Sequence, residues 1–148
     1  MSLPQALIVL AALVAATGAL AIVLRARAGH GRAVSRATVV AASDLGSGEP
    51  LGELATFVQL GTTFCAPCRA TARRLSDFTA TRPGVAHLDI DLAESPELAD
   101  RFNVVETPTT LLLDRGGVVR VRFAGVPRPD DLEHHLHVIT TGDNHDRS

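Results

Sequence analysis

The chain has 148 residues, the length of one ordinary domain, and its five Phe with no Trp or Tyr imply a core of aliphatic side chains. Residues 1–36 carry four Arg and no acid, whereas residues 37–148 carry ten Arg against sixteen acids, a formal charge of −6. An acidic body lacks the clustered basic face that binds phosphate, so we expect no nucleic-acid partner.

The N-terminal part of the chain contains an apolar run, residues 6–24, which is nineteen residues long and carries no charge. As a helix rising about 1.5 Å per residue, this run would span roughly 28 Å, close to the hydrocarbon thickness of a bilayer. We therefore predict a transmembrane anchor over residues 1–24. A cleaved signal peptide is the alternative, because residues 26–28 resemble an A-x-A cleavage site. The absence of a basic residue ahead of the run, and its length, favour an uncleaved anchor.

The basic residues after the run predict its orientation. All four of the early Arg follow it, and they are Arg25, Arg27, Arg32 and Arg36. The positive-inside rule places them in the cytoplasm, which predicts a single-pass membrane protein with a cytoplasmic catalytic domain. The extracytoplasmic side is the alternative. Residues 25–37 are predicted to form a short, mobile, Arg-rich juxtamembrane tether that lies against anionic lipid heads.

The first part of the body alternates between broken and regular segments. Residues 38–41 have the composition of a short first strand. Residues 43–54 contain three Gly and one Pro, so any helix there must be short or interrupted. Residues 56–61 are apolar enough for a buried central strand. A helix is predicted over residues 68–79, with Leu75 and Phe78 on its buried side.

The second part continues this alternation and ends with a hairpin. Residues 85–92 alternate as a strand, and its Asp89 and Asp91 are interpreted as structural. Ser95 and Pro96 predict a helix start, and that helix is expected to end near Phe102. Two strands, 109–114 and 118–123, flank a turn at 115–117, and a last helix begins at Pro129. This order predicts an α/β domain over residues 38–142, with a mixed central sheet flanked by helices on both faces. Residues 143–148 are predicted to be a disordered polar tail.

The two cysteines of the chain, Cys65 and Cys68, lie where a predicted strand ends and a helix begins. A lone C-x-x-C indicates redox or metal chemistry. A helix N-terminus offers unpaired N–H groups and a partial positive charge, which favour a thiolate at Cys65. Cys65 is therefore the predicted exposed nucleophile, and Cys68, one turn further in, the sheltered resolving thiol. Pro67 suits the first turn because it has no N–H to leave unpaired.

A zinc site is the metal alternative, and it requires two further ligands because structural zinc is four-coordinate. The candidates are His87, His134, His135 and His137. The chain contains no second C-x-x-C and no H-x₃₋₅-H pair to complete the set. We therefore predict no metal site and interpret these histidines as surface or sheet residues.

Four motifs together resemble the thioredoxin family over about residues 56–136. They are TFVQLGTTFCAPC, VAHLDID, ETPTTLLLDRGGVV and FAGVPRPDDL. The resemblance implies a thioredoxin fold, preceded here by one N-terminal transmembrane helix, with Cys65 as nucleophile and Cys68 as resolving thiol. It implies that Thr107 and Pro108 form a cis-proline loop opposite the dithiol, where the Thr107 backbone pairs with substrate. It also implies that Gly125 lines the substrate-docking surface.

Three positions of the active-site segment depart from the thioredoxin pattern. Phe64 replaces the usual Trp before the first cysteine, and Ala66-Pro67 replaces Gly-Pro between the cysteines. Gln59 occupies the proton-relay position, where the family buries an Asp. An amide can hydrogen-bond a water but cannot relay a proton as a carboxylate can, so resolution is expected to be slower or to depend differently on pH.

The predicted function is that of a membrane-tethered thiol–disulfide oxidoreductase, with the reductase direction favoured and with no cofactor beyond the redox-active Cys65–Cys68 disulfide. Its expected partners are substrate proteins with disulfides, a reductase or other dithiol donor, and the membrane through residues 6–24. It is expected to act as a monomer. The alternatives are an extracytoplasmic relative for disulfide reduction or cytochrome maturation, and a non-catalytic redox-sensing or metal-binding module. Glu106 is interpreted as a surface charge that repels acidic substrates.

Overall fold

The computed structural model describes residues 2–27, 29–34 and 38–142. The predicted tail, 143–148, and four positions of the predicted tether (28 and 35–37) lie outside the described residues. The helices are α1 Leu3–Arg27, α2 Ala66–Ala80, α3 Pro96–Arg101 and α4 Pro129–Gly142, with a short 3₁₀ helix at Ala42–Leu45. The strands are β1 Gly31–Ala33, β2 Ala55–Gly61, β3 Val85–Asp91, β4 Thr109–Asp114 and β5 Val119–Ala124.

The five strands form one mixed sheet in the order β1-β5-β4-β2-β3. Strands β2 and β3 are parallel, and every other neighbouring pair is antiparallel. All seven residues of the central strand β2 are buried, which agrees with its apolar sequence. The predicted α/β class, with a mixed sheet flanked by helices, is confirmed.

Two hydrophobic clusters cover the two faces of this sheet. On one face, Val58 and Leu60 of β2 pack with residues of α3 and of the 3₁₀ helix. On the other face, Phe57 packs with Leu75 of α2 and Leu132 of α4. Successive side chains of a strand point to opposite faces, so β2 contributes to both clusters. Burial on both faces explains why the sequence of β2 does not alternate between apolar and polar residues.

The first strand lies earlier in the chain than the sequence predicted. Residues 38–41 form no strand, and only Val39 makes an isolated bridge with Val118. Instead, β1 lies inside the predicted tether and pairs antiparallel with β5. The prediction missed it because three residues at a sheet edge, two of them exposed, are held by backbone hydrogen bonds and carry no apolar pattern. A glycine suits position 31 because a Cβ atom there would lie only 2.7 Å from the Phe123 ring, which is too close for an ordinary contact.

Helix α1 stands apart from both clusters. Its Pro4–Leu24 stretch is long and apolar enough to cross a membrane, and none of it is buried within the protein. A signal sequence near an N-terminus can also be long and apolar enough to meet this criterion. The apolar helix predicted from the sequence is therefore present. Its exposure agrees with both interpretations of it, an uncleaved membrane anchor and a signal peptide.

Candidate active site

The two cysteines are positioned by the junction of β2 and α2. Cys65 is the N-cap of α2, with an extended backbone (φ −83°, ψ 110°), and its Sγ accepts a hydrogen bond from the Cys68 N–H at 3.2 Å. Pro67 occupies the first turn of the helix, where a missing N–H leaves no unpaired donor. Cys65 therefore lies at the positive end of the helix, as the sequence predicted.

The cysteines are joined as a disulfide, with their Cα atoms 5.2 Å apart. Cys68 is buried, with 3% of its surface exposed, whereas Cys65 is only half-buried. Gly61 closes over the inner sulfur, because a Cβ there would lie 3.0 Å from Cys68 Sγ. An incoming thiol or disulfide therefore meets Cys65 first. The roles of nucleophile and resolving thiol stay predictions.

The loop before β4 lies opposite the disulfide. The Thr107–Pro108 peptide bond is cis, as the resemblance implied. The Thr107 carbonyl oxygen lies 4.0 Å from Cys65 Sγ, and the Thr107 side-chain Oγ1 lies 3.9 Å from the same sulfur. Gly125 donates its N–H to the Pro108 carbonyl at 2.8 Å. The structure thus brings together Cys65, Thr107, Pro108 and Gly125 from three distant parts of the chain.

Gln59 lies beneath the dithiol and is 1% exposed. Its Nε2 donates hydrogen bonds to the Cys68 carbonyl oxygen and to Asp89 Oδ1, each at 3.0 Å. Its Oε1 is buried and has no protein hydrogen-bond partner. The amide therefore connects the first turn of α2 to a carboxylate on the neighbouring strand.

An open cavity of about 440 Å³ lies beside this connection. Its wall includes Gln59, Gly61, Cys68, Asp89 and Asp91. Partial burial raises the pKa of Asp89, and the negative charge of Asp91 adds to that effect, while the Gln59 hydrogen bond opposes it. A carboxyl with a perturbed pKa therefore shares a cavity with the buried cysteine.

Reasoning from the sequence overlooked Asp89, which was interpreted as structural. Gln59 and Asp89 are directly paired in the parallel β2–β3 ladder. Only the register between two strands 30 residues apart reveals this pairing. The sequence would have indicated this pairing only if the two predicted strands had been aligned as parallel neighbours.

The remaining residues of the active-site segment are exposed to solvent. Phe64 is 91% exposed, and Ala66 and Pro67 are exposed beside it. Across the disulfide, Val105 is 83% exposed, and Glu106 is exposed next to Thr107. The dithiol is thus flanked by two apolar side chains and one negative charge.

Two arginines, Arg122 and Arg74, hold the loops around the site. Arg122 donates from Nη1 to the Phe102 carbonyl at 2.6 Å and from Nη2 to the Asn103 carbonyl at 2.8 Å. Arg74 donates to the Pro127 carbonyl at 2.8 Å. Carbonyl partners for guanidinium groups leave no trace in the sequence pattern, so these contacts were missed.

The histidines in the described part of the chain do not form a metal-binding cluster. His87, on β3, lies beside α2, and burial lowers its pKa to about 4. His134 and His135 are ring neighbours on α4. Across residues 2–27, 29–34 and 38–142, no group of three or more His, Cys, Asp or Glu is arranged to hold a metal ion.

A helix-capping disulfide, opposite a cis-proline on a mixed sheet, defines the thioredoxin class of folds. The family model named Thioredoxin matches residues 53–137, and the chain therefore belongs to the thioredoxin family.

Several curated thioredoxins are similar to this chain. Thioredoxin-2 of Pyricularia oryzae is 34% identical over 40% of this chain and 34% of its own length. Thioredoxin of Mycolicibacterium smegmatis is 33% identical over 51% of this chain and 66% of its own length. Thioredoxin of Alicyclobacillus acidocaldarius is 32% identical over 57% of this chain and 81% of its own length. The chain thus spans from about a third to four-fifths of these relatives.

Solved structures agree with this assignment. Thioredoxin NaTrxh from Nicotiana alata superposes with a TM-score of 0.52 at 29% identity, covering 59% of this chain and 74% of that one. A mutant thioredoxin from Halobacterium salinarum has a TM-score of 0.53 at 23% identity, covering 66% and 80%, and shows likeness of fold alone. In each case the match leaves a third or more of this chain uncovered.

Proposed function

We propose that this protein is a membrane-tethered thiol–disulfide oxidoreductase that reduces disulfides of substrate proteins. The observation that carries the proposal is the position of Cys65. It caps α2, it is more exposed than Cys68, and its sulfur lies 4.0 Å from the carbonyl oxygen of Thr107 on an exposed loop. A sulfur next to exposed backbone suits attack on a disulfide within an extended segment.

The reaction begins from the reduced dithiol. The Cys65 thiolate attacks one sulfur of the substrate disulfide, the substrate S–S bond breaks, and the other substrate sulfur leaves as a thiolate and takes a proton. Cys68 then loses its proton and attacks the Cys65 sulfur, which forms the Cys65–Cys68 bond and releases the second substrate thiol. Two electrons and two protons pass to the substrate.

A second dithiol must return those two electrons, so the cycle requires a reductase or another dithiol donor. No bound cofactor is needed, because both electrons are held in the sulfurs of Cys65 and Cys68. We propose that the protein acts as a monomer. The apolar rim of Phe64 and Val105 supports contact with apolar residues that flank the substrate disulfide, and Glu106 disfavours acidic ones.

Helix α1 supports the tether, and the Arg residues that follow it favour a cytoplasmic body. The same helix as a signal sequence would place the body outside the cytoplasm, as a reductase of extracytoplasmic disulfides. Labelling of Cys65 by a membrane-impermeant thiol reagent in intact reduced cells tests the side. Labelling only after the membrane is permeabilised supports the cytoplasmic assignment, and labelling of intact cells overturns it.

The chemistry is tested with two matched variants, Cys65→Ser and Cys68→Ser, each reduced with dithiothreitol and freed of it before a protein disulfide is added. We expect Cys65→Ser to lose all reduction. Cys68→Ser should accumulate a mixed disulfide with substrate, because the nucleophile is intact and the resolving thiol is gone. A mixed disulfide trapped by Cys65→Ser instead would reverse the roles, and full activity of both variants would overturn the proposed function.

A further inference from the structure

The segment after α1 is bonded to the loop that carries Gly125. Gly29 donates its N–H to the Ala124 carbonyl at 2.7 Å, and the Arg128 N–H reaches the Gly29 carbonyl at 3.4 Å. Gly29 has a positive φ of 81°, and a Cβ there would lie 2.3 Å from the Val126 carbonyl oxygen. Only a glycine fits this close approach.

The attachment continues along the sheet edge. Gly31–Ala33 pairs with β5, and the Val34 N–H donates to the Arg120 carbonyl at 3.0 Å. The chain is therefore bonded to the body from Gly29 to Val34. Arg27 ends α1, and one residue separates it from Gly29. Two residue steps span at most about 7 Å, so the helix end lies within that distance of the body.

The register of the strands shows which end of the sheet receives α1. Gly61 at the end of β2 leads into the dithiol, and Leu60 pairs with Thr109 at the start of β4. Thr109 pairs with Ala124 at the end of β5, and Phe123 beside it pairs with Gly31 at the start of β1. The dithiol and the attachment of α1 thus lie at the same end of one sheet.

The lateral separation follows from the strand order. Strand β1 is three places from β2 in the sheet, and neighbouring strands lie about 4.8 Å apart, which gives roughly 14 Å. The vertical separation follows from the chain. Leu24 ends the apolar stretch, three helical rises of about 1.5 Å reach Arg27, and at most about 7 Å more reach Gly29. The Gly29 attachment is therefore within about 12 Å of the hydrocarbon boundary.

These distances restrict where the dithiol can work. Adding the lateral offset to the chain length keeps the end of β2, which leads into Cys65, within about 26 Å of the hydrocarbon, whatever the tilt of the sheet. The headgroup layer alone takes about 5–8 Å of that space on each side. When the end of the sheet to which α1 is attached faces the bilayer, a disulfide in a bulky soluble protein has to enter between that end and the bilayer.

We infer that the substrates are disulfides held close to the bilayer surface, in proteins that are themselves embedded in the membrane. This inference rests on the proposed function and adds its substrate class. The short attachment of α1 at the dithiol end selects substrates by height above the membrane. The Cys65–Cys68 chemistry is unchanged, so two electrons still pass from the dithiol to each substrate disulfide.

The test uses the full chain in liposomes, with two synthetic substrates that share one apolar transmembrane segment and one disulfide loop. In the near substrate the loop follows the membrane segment after about five residues. In the far substrate about 20 prolines, roughly 60 Å of polyproline, separate them. We expect the near disulfide to be reduced at least tenfold faster. Equal rates would overturn the inference while leaving the oxidoreductase function intact.

A length variant tests the cause of the preference. About thirty Gly/Ser residues inserted between Arg27 and Ala28 lengthen the connection and leave every contact of Gly29 in place. A chain of that composition has an end-to-end distance of about 30 Å, so the two rates should come within about twofold. The same insertion after Gly142 is the control and should keep the tenfold preference. A preference that survives the first insertion would overturn the inference.

Failure of the proposed function has a different signature. Loss of reduction of both membrane substrates and of a small soluble disulfide would reject the oxidoreductase itself, and the substrate class with it. Release of the protein from the vesicles by alkaline carbonate would reject the tether and therefore the selection by height.

Discussion

Gln59 and Asp89 face each other across the β2–β3 ladder, and the Gln59 amide donates to the Asp89 carboxylate at 3.0 Å. The same nitrogen donates to the Cys68 carbonyl oxygen. The position expected to hold a carboxylate is thus occupied by an amide, and a carboxylate lies one strand away. The sequence alone implied that no titrating group accompanies the inner thiol. The structure places one in the same cavity.

Replacing Gln59 by Asp tests this arrangement. The new carboxyl would be buried and adjacent to Asp89, so the two would titrate as a coupled pair, one of them with a strongly raised pKa. We expect a second titration in the pH–rate profile on a small disulfide and faster resolution by Cys68. We also expect a loss of stability of about 1–3 kcal/mol, because a polar group loses its partners in a buried site.

The matched control for that variant is Gln59→Asp combined with Asp89→Asn, which leaves a single carboxyl in the pair. Its profile should show the titration of one carboxyl, now at position 59, without the strong mutual repulsion. An unfolding curve for each protein separates stability from rate. Profiles identical to that of the unmodified protein would mean that position 59 exerts no influence on the dithiol.

His87 should make the protein acid-sensitive. Its pKa in the folded state is lowered to about 4 from the ordinary 6.5, because burial disfavours the charged ring. The folded state therefore favours the neutral form, and stability is full above pH 6.5 and falls as the pH drops toward 4. At about pH 5 we expect a loss of about 1–2 kcal/mol relative to pH 7, as the side chain keeps some contact with water.

Urea unfolding of His87→Gln at pH 7 and pH 5 measures this loss. The variant should show a much smaller change between the two pH values. His137→Gln alters an exposed histidine of α4 and should keep the full change. A variant at position 87 that loses as much stability as the unmodified protein would assign the acid sensitivity to other groups.

Arg122 is expected to position the loop that precedes Pro108. Its guanidinium holds the Phe102 and Asn103 carbonyls, and Asn103 has a positive φ of 48°. Replacing Arg122 by Met removes both charge-assisted hydrogen bonds, each worth about 1.5–3 kcal/mol in general. We expect kcat/KM for a protein disulfide to fall roughly tenfold while the rate on a small disulfide changes by less than about twofold.

The difference between the two substrates distinguishes positioning from general damage, because on the proposed mechanism a protein substrate pairs with the Thr107 backbone and a small disulfide does not. Arg120→Met is the matched control, since Arg120 pairs instead with Asp114 at the other end of β4. That variant should leave both rates nearly unchanged. Equal losses on both substrates in the Arg122 variant would show that its contacts support the fold and have no special role in substrate binding.

The elements that the sequence predicted well have local causes. An apolar run specifies β2, Pro67 and Cys65 specify the start of α2, and the glycines at 116 and 117 specify the hairpin turn. The elements that it missed depend on distant partners. Strand β1 exists because β5 offers an edge, and the Gln59–Asp89 contact exists because two strands share one register. The cis bond at Pro108 followed from resemblance and had no local signal.

The attachment of α1 to the body depends on Gly29, and its replacement by Val should release it. A Cβ at this position would lie 2.3 Å from the Val126 carbonyl oxygen, and backbone cannot move as a flexible side chain can. The positive φ of 81° adds strain for any branched residue. We expect the segment from Gly29 to Ala33 to detach, so that trypsin cleaves after Arg32 at least tenfold faster under native conditions.

Gly48→Val is the control for the strain, because Gly48 also has a positive φ (69°) but no atom lies within 4 Å of its Cβ position. That variant should keep the slow cleavage after Arg32, even though its conformational strain is similar. Detachment of Gly29 would also lengthen the connection between α1 and the body by several residues, at about 3.3 Å each. The Gly29 variant in liposomes should therefore discriminate less between near and far disulfides. Slow cleavage in both variants would mean that β1 stays in the sheet without the Gly29 contact.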